Sequence, residues 1–244
     1  MAYVACGRHA ALAFAQTRPE DVRRVLVAGE AAGLDRLPLD LPSAVVIEQR
    51  EPAELDRLVG GVPHQGIVVL GEPPPGLDPG AIRPERHGLV LVLDGLTDPR
   101  NVGAILRTAA AAGVGAILMS RDRAPGLSPA LVKAAAGAVE WVPIARVVNL
   151  ARALRDLRDA GYWVLGLDGE GEQDLYEPDA ILGPPTALVA GAEGRGLRSL
   201  TQRVCHRLLR IPMAGGVESL NVSVAVALAL FEIRRHGTPV PAPP

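Results

Sequence analysis

The chain has 244 residues, enough for one large or two modest domains, and a hydrophobic content of 48% supports a sizeable core. A formal net charge of -2 argues against a protein that coats nucleic acid non-specifically, while leaving room for a local basic patch. Aromatic residues are only 3%, so the core must be built from Ala, Val, Leu and Ile. Cys6 and Cys205 lie too far apart in sequence for a disulfide framework or a metal-ligand cluster and fit a reducing cytoplasm. The first residues are too soon interrupted by Gly7-Arg8-His9 to form a secretion signal, and no apolar run approaches the roughly 20 residues that span a bilayer.

In chain order, helical sequence covers Arg8 to Gln16, strands fit Val22–Val27 and Ala44–Ile47, a helix fits Pro52–Val59, and a strand fits Gly66–Leu70. This alternation predicts a compact α/β sandwich over residues 1–71. The Pro/Gly-rich stretch beginning at Gly71-Glu-Pro-Pro-Pro cannot continue a helix or a central strand, and predicts a linker over 72–87. Beyond it, Leu89–Asp94 is a continuous apolar run of the kind buried in parallel sheets. Helices are expected over Asn101–Ala112, Pro129–Gly137 and Asn149–Ala160. Strands are expected over Gly115–Ser120, Tyr162–Leu167, Thr186–Ala190 and Leu208–Pro212. A long helix from Glu218 to Arg235 closes this 88–236 domain, and the Pro-rich tail 237–244 is expected to be disordered.

Three strand-to-helix junctions carry polar residues that a core does not require. The first runs from Asp94 to Arg107. Taken alone, Asn101 is explained as a helix cap and Arg107 as a surface ion pair. The second holds Gly191, Gly194 and Gly196 around Glu193. Its G-x-x-G-x-G spacing is not the dinucleotide fingerprint, and it reads equally as an ordinary glycine-rich turn. The third, Arg210 to Ala225, passes from a short strand through Pro212 and two glycines to Glu218, Ser219, Asn221 and Ser223, and then into an apolar helix. Ligands of open α/β sheets bind beyond the carboxyl ends of the strands, where all three junctions belong. Phosphate-loop, zinc-protease and serine-hydrolase motifs are absent from the sequence. Arg195, Arg198, Arg203, Arg207 and Arg210, with His206 and no acid between, form a basic segment that an exposed helix face explains as well as RNA contact does.

Together the segments Asp98–Gly113, Leu188–Leu197 and Ile211–Ala225 resemble, in order and spacing, the three motifs of the SpoU (TrmH-like) RNA ribose 2'-O-methyltransferases, a branch of the SPOUT class. Gly7-Arg-His-Ala10, Pro63-His-Gln-Gly-Ile67, Lys133 to Leu154 and Gly169-Glu-Gly extend the likeness to the bacterial 23S rRNA guanosine 2'-O-methyltransferases. The resemblance implies an α/β fold. Its C-terminal domain would be an α/β-knot, a deep trefoil knot on a parallel sheet, a topology physical reasoning would not suggest. A smaller N-terminal L30e-like α/β domain would bind RNA. It also implies S-adenosylmethionine as cofactor without a metal, a 23S rRNA substrate, a cytoplasmic homodimer and no membrane partner. A tRNA guanosine, an antibiotic-resistance rRNA site, or a non-catalytic ribosome-assembly role are the alternatives.

Carried over by motif position, Arg107 is the central catalytic residue, orienting the target phosphate and stabilising developing alkoxide charge. Asn101, Ser219 and Asn221 complete the polar site, and Glu193 orients Arg107 or Asn221. Gly191, Ile211 and Leu220, with Ala190 and Met213, hold the cofactor largely through backbone groups. Arg8, Arg195 and Arg198 are expected to contact RNA.

Overall fold

A computed structural model describes residues 2–29, 41–183, 185–192, 194–216 and 219–236. Glu193, Glu218 and the expected disordered tail therefore lie outside the described residues. The chain divides into two compact units. The first comprises Met1–Pro75, Pro99–Arg107 and Pro125–Trp141, and the second Gly76–Asp98, Thr108–Ala124 and Val142–Pro244.

The first unit is built on a four-stranded sheet formed by β1 (Tyr3–Cys6), β2 (Val22–Ala28), β3 (Val46–Arg50) and β4 (Ile67–Gly71), in the order β1-β4-β2-β3. β4 runs antiparallel to both neighbours, and β2 is parallel to β3. β1 was not among the expected strands: four residues are too few to show a period. Helix α1 (Arg8–Thr17) buries its alanines and Phe14. Helix α2 (Pro52–Val59) starts where expected because Glu51 and Glu54 form a reciprocal capping box ahead of Pro52. Leu55 and Val59 of α2 join Cys6, Leu26, Ala28 and Val68 in one apolar cluster.

The same unit takes in α4 (Pro129–Ala135) and the first part of α3 (Pro99–Ala111). At Gly103 a side chain would come within 2.5 Å of the Leu131 carbonyl, so glycine is what lets α3 approach α4. Because α3 begins at Pro99, Asn101 sits in its first turn rather than at the capping position. Proline is favoured at the first helical position, since its missing N–H is not needed there.

A buried ion network locks this unit. Arg18 lies 2.8 Å from the Glu140 carboxylate and 2.6 Å from Asp21, and its guanidinium stacks 4.6 Å from the centre of the Phe14 ring. Tyr3 donates to the other Glu140 oxygen at 2.6 Å. Burial, and then the adjacent Glu140 carboxylate, push the Tyr3 hydroxyl well above its ordinary range, so it remains a donor.

The second unit holds a seven-stranded sheet of β5 (Leu89–Asp94), β6 (Ala116–Ser120), β7 (Ile144–Val147), β8 (Trp163–Leu167), β9 (Gln173–Asp174), β10 (Thr186–Gly191) and β11 (Arg207–Arg210). Its order is β7-β6-β5-β10-β8-β11-β9, and every pairing is parallel. Five of these strands were expected. β7 and β9 are short edge strands with mixed burial, and neither gives a continuous apolar run. Every residue of β5, β6 and β10 is buried, as expected for strands covered on both faces. Helix α5 (Leu150–Asp159) turns Leu150, Leu154 and Leu157 into the core cluster.

The stretch expected as a linker contributes to this unit. Leu77 pairs with Ala145, and Ile82 is buried in the core. The closing helix α7 (Val222–Arg235) starts later than Glu218, because Asn221 accepts the Ser223 N–H at 2.9 Å and caps it.

Removing Glu140 takes away one of the two carboxylates on the buried Arg18 guanidinium and, with it, the acceptor of the Tyr3 hydroxyl. We expect Glu140→Ala to lower unfolding stability by about 3 kcal/mol, and Tyr3→Phe by about 1 kcal/mol. Urea melts of the two variants provide the check.

Candidate functional site

The parallel register brings four strand ends to one level of the second unit. Asp94 is opposite Gly191, Ala190 is opposite Leu167, and Leu167 is opposite Leu209. The loops that leave these ends build the site.

The loop after β10 is folded tightly on itself. Ala192 and Gly196 form an antiparallel bridge, with the Gly196 N–H donating to the Ala192 carbonyl at 2.9 Å. A Cβ on Gly191 would lie 2.2 Å from the Gly196 carbonyl group, so the position must be glycine. The loop is then pinned to the neighbouring strand by Asp94, whose side chain is inaccessible to solvent. The Asp94 carboxylate accepts the Thr201 hydroxyl at 2.7 Å and the Arg198 N–H at 3.2 Å, and lies 3.3 Å from the Arg198 guanidinium. Arg198, expected at RNA, thus has a structural partner inside the protein.

These loops enclose a pocket of about 450 Å³. Ala190, Gly191, Ile211, Met213 and Leu220, the five expected cofactor positions, all line it, as do Ser219 and Arg195. Leu167, Leu209, Val222 and Ala225 add apolar wall. Not among the expected site residues are Asp168 and Glu170 in the loop after β8, and Gln202 on the short helix α6 (Ser199–Gln202), all of which line the pocket. The available signal was a carboxylate at the end of a parallel strand, followed by Gly169-Glu170-Gly171. A volume of this size with apolar walls, strand-end backbone groups and a few polar side chains suits a small organic cofactor with a flat apolar part. S-adenosylmethionine fits that description.

Asn221 caps α7 and is not among the pocket-lining residues. Asn101 and Arg107 are carried by α3 in the first unit. Arg107 is exposed and makes no hydrogen bond or ion pair among the described residues. Arg8, also exposed, opens α1, and its N–H donates to Gln65 at 3.2 Å. The Cys205 thiol is pushed up to about 12, chiefly by burial, and is therefore protonated at neutral pH. It is consequently no nucleophile. Among the described residues no group of His, Cys, Asp and Glu could hold a metal, and no helix is long and apolar enough to cross a membrane.

The pattern of the SpoU rRNA Methylase family matches residues 88–231. The 23S rRNA (guanosine-2'-O-)-methyltransferase RlmB of Pseudomonas syringae pv. tomato is 44% identical over 240 residues, covering 94% of each chain. Its counterpart in Ralstonia nicotianae is 45% identical over 231 residues, 93% of this chain and 88% of that one. Among solved structures, an AdoMet-bound rRNA methyltransferase from Sinorhizobium meliloti superposes with a TM-score of 0.79 at 26% identity, covering 98% of this chain and 88% of the other.

Gly191→Ala forces the Gly196–Leu197 backbone outward. We expect it to weaken S-adenosylmethionine binding by roughly tenfold or more while the protein stays folded, as calorimetry alongside a thermal melt would reveal.

Proposed function

Because the chain belongs to the SpoU rRNA methylase family, we propose that it methylates the ribose 2'-hydroxyl of a specific guanosine in 23S rRNA. The observation that carries this reading is the pocket at the strand ends. It gathers the five cofactor positions implied by the motifs on a chain that is similar to 23S rRNA methyltransferases over nearly its whole length. When bound, S-adenosylmethionine supplies a methyl group already activated by a positive sulfur.

The protein's own tasks are to hold that cofactor, position the target ribose and ease loss of the hydroxyl proton. Gly191, Ile211 and Leu220 hold the adenosine largely through backbone N–H and C=O groups, which is why apolar residues suffice there. Positioning alone can lower a barrier by roughly 7–11 kcal/mol in favourable cases. An arginine, with its pKa above roughly 12, is a poor base, so Arg107 acts as a cation that orients the target phosphate and stabilises alkoxide charge. Its exposed guanidinium, without an internal partner among the described residues, supports that role. Asn101, Ser219 and Asn221 complete the polar surroundings, and Glu193, outside the described residues, orients Arg107 or Asn221.

The finer architecture belongs to the same reading. Residues 1–71 form an L30e-like RNA-binding domain, 72–87 connect it, and 88–236 form the methyltransferase domain, with Arg8, Arg195 and Arg198 toward RNA. The C-terminal domain is a trefoil knot. A strand order in which β10 lies between the earlier strands β5 and β8 supports this. The enzyme is a cytoplasmic homodimer. Val224, Leu228 and Phe231, exposed at helical spacing along α7, support an apolar contact face.

Two experiments test this reading. Arg107→Ala should reduce tritiated methyl transfer to 23S rRNA by roughly 100-fold or more while S-adenosylmethionine affinity changes less than about twofold. Full activity in that variant removes Arg107 from the mechanism. Mapping of 2'-O-methyl groups in a strain lacking the protein should show one 23S guanosine unmodified. A change confined to tRNA, or no change in either RNA, would sink the substrate assignment.

A further inference from the structure

One wall of the pocket, outside the expected site residues, centres on Asp168. In the sheet β8 lies between β10 and β11, so the chain leaving β8 emerges between the strands that lead to Gly191 and Ile211. Leu167 is in register with Ala190 on one side and Leu209 on the other, and the Asp168 N–H donates to the Leu209 carbonyl at 2.9 Å. Asp168 therefore stands beside the backbone groups that receive the adenosine, within the same pocket.

Its carboxylate is held from two directions. One oxygen accepts the Glu170 N–H at 3.0 Å, and the other accepts the side-chain amide of Gln202 at 2.8 Å. The bond to Glu170 is a local turn that many aspartates make. The bond from Gln202 is not local: it comes from α6 and fixes the carboxylate from across the pocket wall. Both donors are neutral, and each carboxylate oxygen keeps lone-pair capacity after accepting one bond. A fixed, acceptor-only group beside an adenosine site complements hydroxyl donors, and the ribose of an adenosyl cofactor carries a vicinal pair of them. Acidic residues play this part for the ribose of dinucleotides in unrelated open α/β folds, on the same physical grounds.

Resting on the reading of this pocket as the S-adenosylmethionine site, we infer that Asp168 recognises the cofactor's ribose. Its carboxylate accepts hydrogen bonds from the 2'- and 3'-hydroxyls, and Gln202 is the positioning residue that holds it in place. The competing use of a carboxylate here is to bind the ammonium of the cofactor's amino-acid portion, and ligands that separate the two decide between them.

The test is calorimetry on the full chain without RNA. The ligands are S-adenosylhomocysteine, methylthioadenosine, which keeps the ribose diol but lacks the amino-acid portion, and the 2'-deoxy and 3'-deoxy forms of methylthioadenosine. For the native chain, removing a hydroxyl should weaken binding on the order of tenfold. Asp168→Ala should weaken methylthioadenosine by a similar factor and make the variant indifferent to the missing hydroxyls. Asp168→Asn, which keeps the shape and tests the charge, should show a smaller loss with reduced discrimination, and Gln202→Ala should fall between Asn and the native chain. Thermal melts establish that each variant is folded, and the Asn variant carries the same comparison if the Ala variant does not fold.

Two results overturn the assignment while leaving the cofactor site intact. In one, Asp168→Ala loses affinity for S-adenosylhomocysteine but not for methylthioadenosine, which assigns the carboxylate to the ammonium. In the other, the full deoxy penalty survives in both Asp168 variants. Failure of the native chain to bind S-adenosylhomocysteine or methylthioadenosine at all would remove the cofactor reading and this inference together.

Discussion

The site depends on one buried carboxylate. Asp94 ends the fully buried strand β5, where an unpaired charge would be costly, and its partners come from residues about a hundred positions later in the chain. By accepting from Thr201 and the Arg198 backbone, and by pairing with the Arg198 guanidinium, it fixes the start of α6 against the strand end. That contact sets where the loop between Gly191 and Arg198 can lie. It also places Gln202, the residue after Thr201, at the pocket beside Asp168.

The rest of the second unit is arranged to make these strand ends rigid. The buried strands β5, β6 and β10 are mostly Val, Leu, Ile and Ala, and their polar side chains, Asp94, Ser120 and Thr186, stand at strand ends. The few aromatics serve local tasks. Tyr162 is buried and donates to the His87 carbonyl at 2.7 Å, and Trp163 stacks on His206, whose ring accepts the Val164 N–H at 2.9 Å. These bonds tie the end of the sheet opposite the pocket.

A methyltransferase that takes its methyl from an activated sulfonium has modest chemical needs, and the site reflects this. The apolar Ala190, Ile211 and Leu220 line the pocket beside strand-end backbone, which can offer N–H and C=O groups whatever the side chain. Charge is required only where hydroxyls, phosphate or alkoxide must be met.

Much of this was legible in the sequence. The uninterrupted apolar run of β5, the capped start of α2 and the glycine and proline punctuation located most elements, because those signals are local. The three motifs singled out Gly191, Ile211 and Leu220, which line the pocket. Short edge strands such as β1, β7 and β9 were not legible, since a strand of two to four residues has no period and exists only through its neighbour's hydrogen bonds. Nor were the starts of α3 and α7, which Pro99 and Asn221 set. The partners of Arg198, Gln202 and Asp168 were decided only by tertiary structure. Each depends on a partner distant in sequence, and it is the strand order, with β10 set between β5 and β8, that brings such partners within reach of a hydrogen bond.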